Sequence, residues 1–485
     1  MEISSYLKGQ IETRLKYDNP WWTSNSIPED YAAMHNRPYI ELFYPLVKDK
    51  SLHRSIVLMG PRRVGKTVMI FHTIERLISD GIDPKTIIYL SIDTPIYNGI
   101  SLEEMFAFSR EALGNSGEMT DYYVFFDEIQ YLSGWEVHLK SLGDSYRNTK
   151  FVASGSAAAA LKEKSNESGA GRFLDFMLPP LTFSEYIELK GLGPQIVKKS
   201  INWNGRNVET YDAFQIEILN QHFIDYINFG GYPEIVFSGK MQANPGQYIR
   251  HDIVDKVLLR DLPSLYGISD TRELNRLFIY IAYRSGQEFT YENLSTDSGI
   301  GKEVLKKYLQ YLEAAFLIKV INKVDSNARH LQRITAFKIY LKNPSLRCAL
   351  FSPIGPNDEN IGSMVETAIV SQWIQRESAE VYYANWQSNR ERGEVDLVGL
   401  DEIRLKPYWA VEIKWSDRFY ENCSELKSLI FFMKRNSLQE ALVTSISKFG
   451  RKRYGNLSFQ FIPSSVYAYT VGRNTFDSKS QAIGL

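Results

Sequence analysis

The run Gly60-Pro61-Arg62-Arg63-Val64-Gly65-Lys66-Thr67 has the residue types and spacing of a loop that wraps phosphate. Glycines let backbone N–H groups curl inward onto phosphate oxygens, and a following helix N-terminus adds a favourable field. Gly60, Pro61, Arg62, Arg63, Val64 and Gly65 would form the cradle. Lys66 would reach the β- and γ-phosphates, and the Thr67 hydroxyl would ligate Mg²⁺. The expected ligand is ATP with Mg²⁺. Downstream, Asp127-Glu128 ends the apolar run Tyr123-Val124-Phe125-Phe126. Asp127 would hold Mg²⁺ through water, and Glu128 would polarise the attacking water as general base. Ser154-Gly155-Ser156 ends a third apolar run, where Ser156 either senses the γ-phosphate or caps the segment that follows. Arg172 is the first candidate for an arginine reaching the γ-phosphate from a lid or neighbouring subunit, and Arg147 is the second.

These residues need strands and a helix to hold them. Ser55 to Met59 reads as a buried strand entering the loop. Val68 to Ser79 reads as a helix, with Met69, Ile70, Phe71, Ile74, Leu77 and Ile78 on a broad apolar face. Ile87 to Ile92 supplies another strand. The fold expected is α/β, an open parallel sheet with ligand at its carboxyl edge.

A second set of chemical residues lies nearer the C-terminus. Glu366 falls in a helical stretch from Ser363 to Arg376. Asp396 lies in strand-like Gly393-Glu394-Val395-Asp396-Leu397-Val398, and Glu412 and Lys414 lie in Ala410-Val411-Glu412-Ile413-Lys414-Trp415. Strand geometry points positions 412 and 414 to one face. Asp396 and Glu412 would hold one or two Mg²⁺, with the Ile413 carbonyl as an extra ligand. Glu366 would steady the metal shell, and Lys414 would orient and activate water. Helix-Glu, strand-Asp and Glu-x-Lys in this order resemble the PD-(D/E)xK nuclease core. No proline precedes the upstream acidic pair, a departure that such folds tolerate.

Composition narrows the classes. With 485 residues the chain exceeds one core, and 44% hydrophobic with 23% charged residues is ordinary for a globular protein. A net charge of −1 gives no whole-molecule attraction to nucleic acid or anionic membrane. The two cysteines, Cys348 and Cys423, lack CxxC spacing, which fits a reducing cytoplasm and argues against a thiolate metal site. No signal-peptide core or membrane-spanning run is expected. From Lys302 to Arg347, however, ten Lys/Arg stand against three acids, a net of +7 that reads as a phosphate-backbone footprint. At the start of that stretch Ile300-Gly301 turns into Lys302 to Leu312, where Val304, Leu305, Tyr308, Leu309 and Leu312 are expected to bury one face.

Several segments together resemble a prokaryotic family of AAA-type ATPases joined to a C-terminal domain of the DUF4143 kind. They are Asn19-Pro20-Trp21-Trp22, the phosphate loop, Asp127-Glu128-Ile129-Gln130, Ser154-Gly155-Ser156 and Gly171-Arg172. Pro179-Pro180-Leu181-Thr182-Phe183-Ser184-Glu185-Tyr186 and Gly230-Gly231-Tyr232-Pro233-Glu234 complete the set. The resemblance implies a P-loop ATPase, a helical lid, a winged helix and a nuclease-like C-terminal α/β fold. The expected division is an N-terminal segment 1–50, ATPase core 51–190, lid 191–270, winged helix 271–348 and nuclease-like domain 349–485. The function expected is ATP hydrolysis coupled to a DNA-binding winged helix and a Mg²⁺-dependent nuclease, with genome defence or mobile-element control as a suitable setting. DNA is favoured over RNA as partner, and a homo-oligomer stays open. The alternative is an ATP-gated switch or scaffold for a protein partner, with an inactive nuclease-like fold.

Overall fold

The computed structural model describes residues 5–114, 121–156, 171–324, 336–376, 380–387, 392–401 and 406–483. They form two compact units, one ending at Pro179 and the other running from Pro180 to Gln481. Among the described residues no helix is long and apolar enough to cross a membrane. Cys348 and Cys423 are free thiols.

The first unit is built on five parallel strands. These are β1 (Ser55–Met59), β2 (Ile87–Ser91), β3 (Tyr123–Asp127), β4 (Lys150–Gly155) and β5 (Phe173–Met177), in the order β2-β3-β4-β1-β5. Strands β1, β3 and β4 are buried along their whole length, as near-continuous apolar runs require of a parallel sheet covered on both faces. Helix α1 (Lys66–Ser79) follows β1 through the glycine loop.

The segment around Asn19 to Trp22 is tied to the sheet. The Asn19 side chain accepts from the Tyr89 N–H at 2.6 Å and donates to the Tyr89 carbonyl at 2.9 Å. The Trp21 and Trp22 indoles both donate to the Ile87 carbonyl, at 3.0 and 2.8 Å. Residues 87 and 89 turn their free backbone groups outward from edge strand β2, and this segment satisfies them. The Asn-Pro-Trp-Trp motif is an edge closure.

In the second unit, β6 (Ile196–Trp203) and β7 (Arg206–Ala213) form a separate hairpin. A mixed nine-stranded sheet contains β8 (Glu288–Phe289), β9 (Ile318–Val324), β10 (Phe337–Leu341), β11 (Tyr382–Gln387), β12 (Arg392–Leu400), β13 (Pro407–Glu412), β14 (Glu440–Ser445), β15 (Gly450–Tyr454) and β16 (Leu457–Pro463). Its order is β15-β16-β14-β13-β12-β11-β9-β10-β8. The expected boundary at 348/349 therefore cuts a continuous sheet. Among the described residues, β11 and β9 pair in parallel at Tyr383–Lys323 and Ala384–Val324.

Helices α2 (Phe183–Leu189), α3 (Ile216–Phe229), α4 (Thr271–Tyr283), α5 (Tyr291–Ser298), α6 (Lys302–Ala314), α7 (Ile361–Trp373), α8 (Lys427–Asn436) and α9 (Ser464–Ile483) surround this sheet. Phe183, Tyr186, Phe223 and Tyr226 pack with Val365, Ile369, Val411 and Val466 in one core. Leu429, Phe432 and Met433 of α8 pack with Val398, Ala410 and Val443 in another.

Residues 180–190, the end of the expected ATPase core, pack with the second unit. The region 191–270 begins with a β-hairpin, and its helix α3 turns its apolar face to the second unit's core. The motifs around Leu181 and Gly231 also meet there: the Leu181 N–H donates to the Gly231 carbonyl at 3.0 Å. A Cβ on Gly231 would lie 2.2 Å from Asn343 Oδ1, so the close approach demands glycine.

Candidate functional site

The phosphate loop leaves β1 where a Cβ on Gly60 would stand 2.2 Å from the Leu178 carbonyl oxygen. Arg63 and Gly65 adopt left-handed φ values of 64° and 93°, curling the chain into α1. Lys66 is buried, its ammonium donating to the Gly60 and Pro61 carbonyls at 3.1 and 3.0 Å. Arg62 donates to the Tyr131 hydroxyl at 3.1 Å.

Because β4 lies between β1 and β3, three strand ends converge beside this loop. Asp127, at the end of β3, is 1% exposed and gathers donors from α1, β2 and β4. The Thr67 hydroxyl donates to its Oδ2 at 2.7 Å, and the Tyr89 hydroxyl donates to the same oxygen at 3.0 Å. The Ser154 hydroxyl donates to Oδ1. Hydroxyl and carboxylate oxygens at one spot are the hard donor set that Mg²⁺ takes.

Glu128 follows in a left-handed conformation, φ 55°, which is strained for a non-glycine residue and common at functional positions. Burial raises its carboxyl pKa, Lys66 opposes that shift, and Asp127 adds to it. Gln130 donates to Glu128 Oε2 and, at 3.1 Å, to the Ser156 hydroxyl. Ser156 thus joins the cluster through Gln130, a residue to which the sequence alone assigns no role.

Arg172 lies elsewhere. Its carbonyl accepts from the Ser55 N–H at 3.1 Å, at the start of β1, whereas the loop leaves from Met59. Four residue steps of about 3.3 Å separate the two ends by about 13 Å. Arg172 pairs with Asp144 and shares a pocket with Arg147 and Lys150. Within its own chain neither arginine belongs to the loop's edge of the sheet, because residues preceding a parallel strand sit at its opposite end.

The second cluster lies in the other unit. The pairing of Leu397 with Val411 sets Asp396 across from Glu412 on one face of the sheet. Like charges so placed repel, and the neighbourhood answers them. The Ile413 N–H donates to Asp396 Oδ2 at 2.7 Å, and the Lys414 ammonium stands 2.8 Å from Glu412 Oε1 and 3.8 Å from Asp396 Oδ2. Glu412 is 7% exposed, and among the described residues its Oε2 has no hydrogen-bond partner. Burial, then Asp396, pushes its pKa up to about 7 against the pull of Lys414. Glu366 on α7 accepts from Lys338 at 3.0 Å and from the Tyr340 hydroxyl at 2.6 Å.

Lys338, Tyr340 and Glu394 complete this cluster and were missing from the candidate set. The available signal was a lysine inside Phe337-Lys338-Ile339-Tyr340-Leu341, an apolar strand buried throughout. That lysine had been counted toward a basic surface, and the surface itself needs correction. Lys338 and Arg347 are buried; Lys302, Lys306, Lys319 and Lys323 stand in ion pairs; Lys342 donates to the Ile374 carbonyl. Arg329 and Arg333 lie outside the described residues, and Lys307 is exposed. Val304, expected on the buried face of its helix, is 43% exposed.

Residues 52–187 match the family model described as "AAA domain", and residues 220–358 match one described as a domain of unknown function, DUF8612. The resemblance had implied a DUF4143-type domain over the latter stretch. An uncharacterized protein of Haemophilus influenzae is 24% identical over 399 residues, covering 80% of this chain and 88% of that protein. The walker-type ATPase of Pyrococcus abyssi overlays at a TM-score of 0.38 and 15% identity, covering 64% of this chain and 95% of that one. The Aeropyrum pernix ORC2 protein in its ADP form overlays at 0.34 and 15%, covering 73% and 98%. The loop, the Asp127-bearing strand and the matched family model agree: residues 52–187 are an AAA-type P-loop ATPase domain.

Proposed function

We propose that this chain hydrolyses ATP and couples its nucleotide state to a metal-dependent phosphodiester-cleaving site in its second unit. Nucleic acid, DNA before RNA, is the substrate. Glu412 carries the reading of the second unit: a buried carboxylate with one oxygen unpartnered and a lysine on the other fits an ion-holding group better than a structural ion pair. Genome defence or mobile-element control suits such an architecture.

In the first unit, Lys66 and the loop N–H groups of Gly60 to Gly65 hold the phosphates, while Thr67 and Asp127 hold Mg²⁺. Glu128 takes a proton from the attacking water, and its burial favours the proton-accepting role. Arg172 acts on the nucleotide of a neighbouring copy, since its own loop is at the far strand end. In the second unit Asp396 and Glu412 hold the divalent ion, which supplies Lewis-acid stabilisation of the phosphate. Lys414 orients water beside them, and Glu366 braces the pocket.

The run α4, β8, α5, α6, β9, β10 has the element order of a winged helix, and α6 with exposed Lys307 is its DNA-facing helix. Exposed pairs such as Lys302–Glu292 are weak enough to exchange for phosphate contacts. The second reading, an ATP-gated switch for a protein partner, is favoured by Lys338 lying in ion pairs inside the acidic pocket.

The test is cleavage of plasmid, linear and single-stranded DNA with Mg²⁺ or Mn²⁺ by wild type and Glu412→Ala. Cleavage lost in the variant supports the nuclease. Intact ATP hydrolysis with no cleavage of any substrate supports the switch.

A further inference from the structure

The acidic pocket of the second unit contains a cation supplied by the chain itself. Lys338 on β10 is only 2% exposed, and a buried lysine is costly unless its charge is closely paired. Its ammonium lies 3.0 Å from Glu366 Oε1 and 2.6 Å from Glu394 Oε1. The Tyr340 hydroxyl donates to the same Glu366 oxygen at 2.6 Å. One end of the pocket is therefore already bridged, carboxylate to carboxylate at hydrogen-bond distance, by an ammonium group.

The other end is not. Lys414 stands 2.8 Å from Glu412 Oε1 and 3.8 Å from Asp396 Oδ2, yet Glu412 Oε2 remains buried without a partner among the described residues. Glu366, Glu394, Asp396 and Glu412 contribute four negative charges, and Lys338 and Lys414 contribute two positive ones. The remainder is two negative charges, the complement of one divalent ion and not of two. The donor geometry agrees. Among the described residues no three His, Cys, Asp or Glu side chains are gathered to hold an ion. Two carboxylates with a backbone carbonyl and water suffice for Mg²⁺ or Mn²⁺, which usually keep several waters.

We propose that Lys338 is a built-in cation standing where a second metal would otherwise bind, so that the pocket takes a single divalent ion on Asp396 and Glu412. This rests on the metal-dependent reading of the second unit. Glu366 and Glu394 then serve Lys338 and position the pocket; they do not ligate the ion. The lysine sits on a strand of the winged-helix-like run, so that part of the chain contributes directly to the ion's surroundings.

Isothermal titration of the nucleotide-free full-length chain with Mn²⁺ tests this, with Asp127→Asn as the control that assigns any ion held by the first unit. Wild type is expected to bind one ion in the second unit, lost in Glu412→Gln. Lys338→Met is expected to bind two, with a larger Mn²⁺-dependent rise in melting temperature than wild type. Two ions in wild type, or one in Lys338→Met, would overturn the proposal. If Lys338→Met does not fold, Glu394→Gln decides. Unchanged stoichiometry with affinity within about threefold supports the inference, and a loss of tenfold or more overturns it. A folded wild type that binds no Mn²⁺ in the second unit removes the metal-dependent reading itself, a result distinct from a wrong count.

Discussion

The Thr67 hydroxyl donates to Asp127 Oδ2 at 2.7 Å, joining the last residue of the phosphate loop to the end of β3 across the intervening β4. In the proposed site these two residues hold Mg²⁺, and Glu128, the proposed base, follows Asp127 directly. Replacing Glu128 with Gln keeps the shape and removes the base. ATP turnover is expected to fall by about a hundredfold or more, the usual worth of general base catalysis. Binding of a fluorescent ATP analogue is expected to stay within about twofold. Equal losses in binding and turnover would mean that Glu128 holds the ground state instead.

Arg172 leads to a concentration test. Its position at the amino end of β5 puts it away from its own phosphate loop, so its proposed role is on another copy's nucleotide. Turnover per chain is expected to rise with protein concentration in wild type and to stay flat in Arg172→Ala. Turnover that is independent of concentration in both would remove Arg172 from the reaction.

Asn19 bonds both backbone groups of Tyr89 on edge strand β2. Asn19→Ala leaves those groups without the partner that satisfies them, and each orphaned buried group costs about 1–3 kcal/mol. A lower urea midpoint with an unchanged slope is the expected result. An unchanged midpoint would mean that water or a neighbouring residue replaces the side chain.

The sequence made the nucleotide site readable because strand, glycine loop and helix are contiguous and each has its own period. Asp127 and Glu128 were readable for the same local reason: an apolar run ends in two acids. Lys338 was not, because charge counting cannot separate a buried lysine from a solvated one. The region 191–270 misled in another way. Phe223 and Tyr226 declare an apolar face for α3, but nothing local says which unit covers it. Asn19 and Trp22 were recognisable as a motif, yet their work depends on an edge strand about seventy residues away, a relationship set by sheet order.

Lys150 is 2% exposed and donates to the Leu52 carbonyl at 2.8 Å. Burial lowers its pKa from 10.5 to about 8, with Asp49 opposing. Between about pH 8 and 10.5 the unfolded chain binds the extra proton, so this group makes stability rise with pH across that window. Lys150→Met removes the dependence. The variant is expected to melt a few degrees above wild type at pH 7, with the gap closing toward pH 10.5. A gap that does not change with pH would assign the effect to packing alone.

The central claim is that nucleotide state in the first unit governs chemistry in the second. It is tested most directly by the rate of plasmid cleavage with Mg²⁺, with and without ATP, in wild type and Lys66→Ala. The account predicts a cleavage rate that changes with ATP in wild type and ignores ATP in Lys66→Ala, whose phosphate loop has lost its ammonium. Cleavage of equal rate in both proteins, with or without ATP, would contradict it.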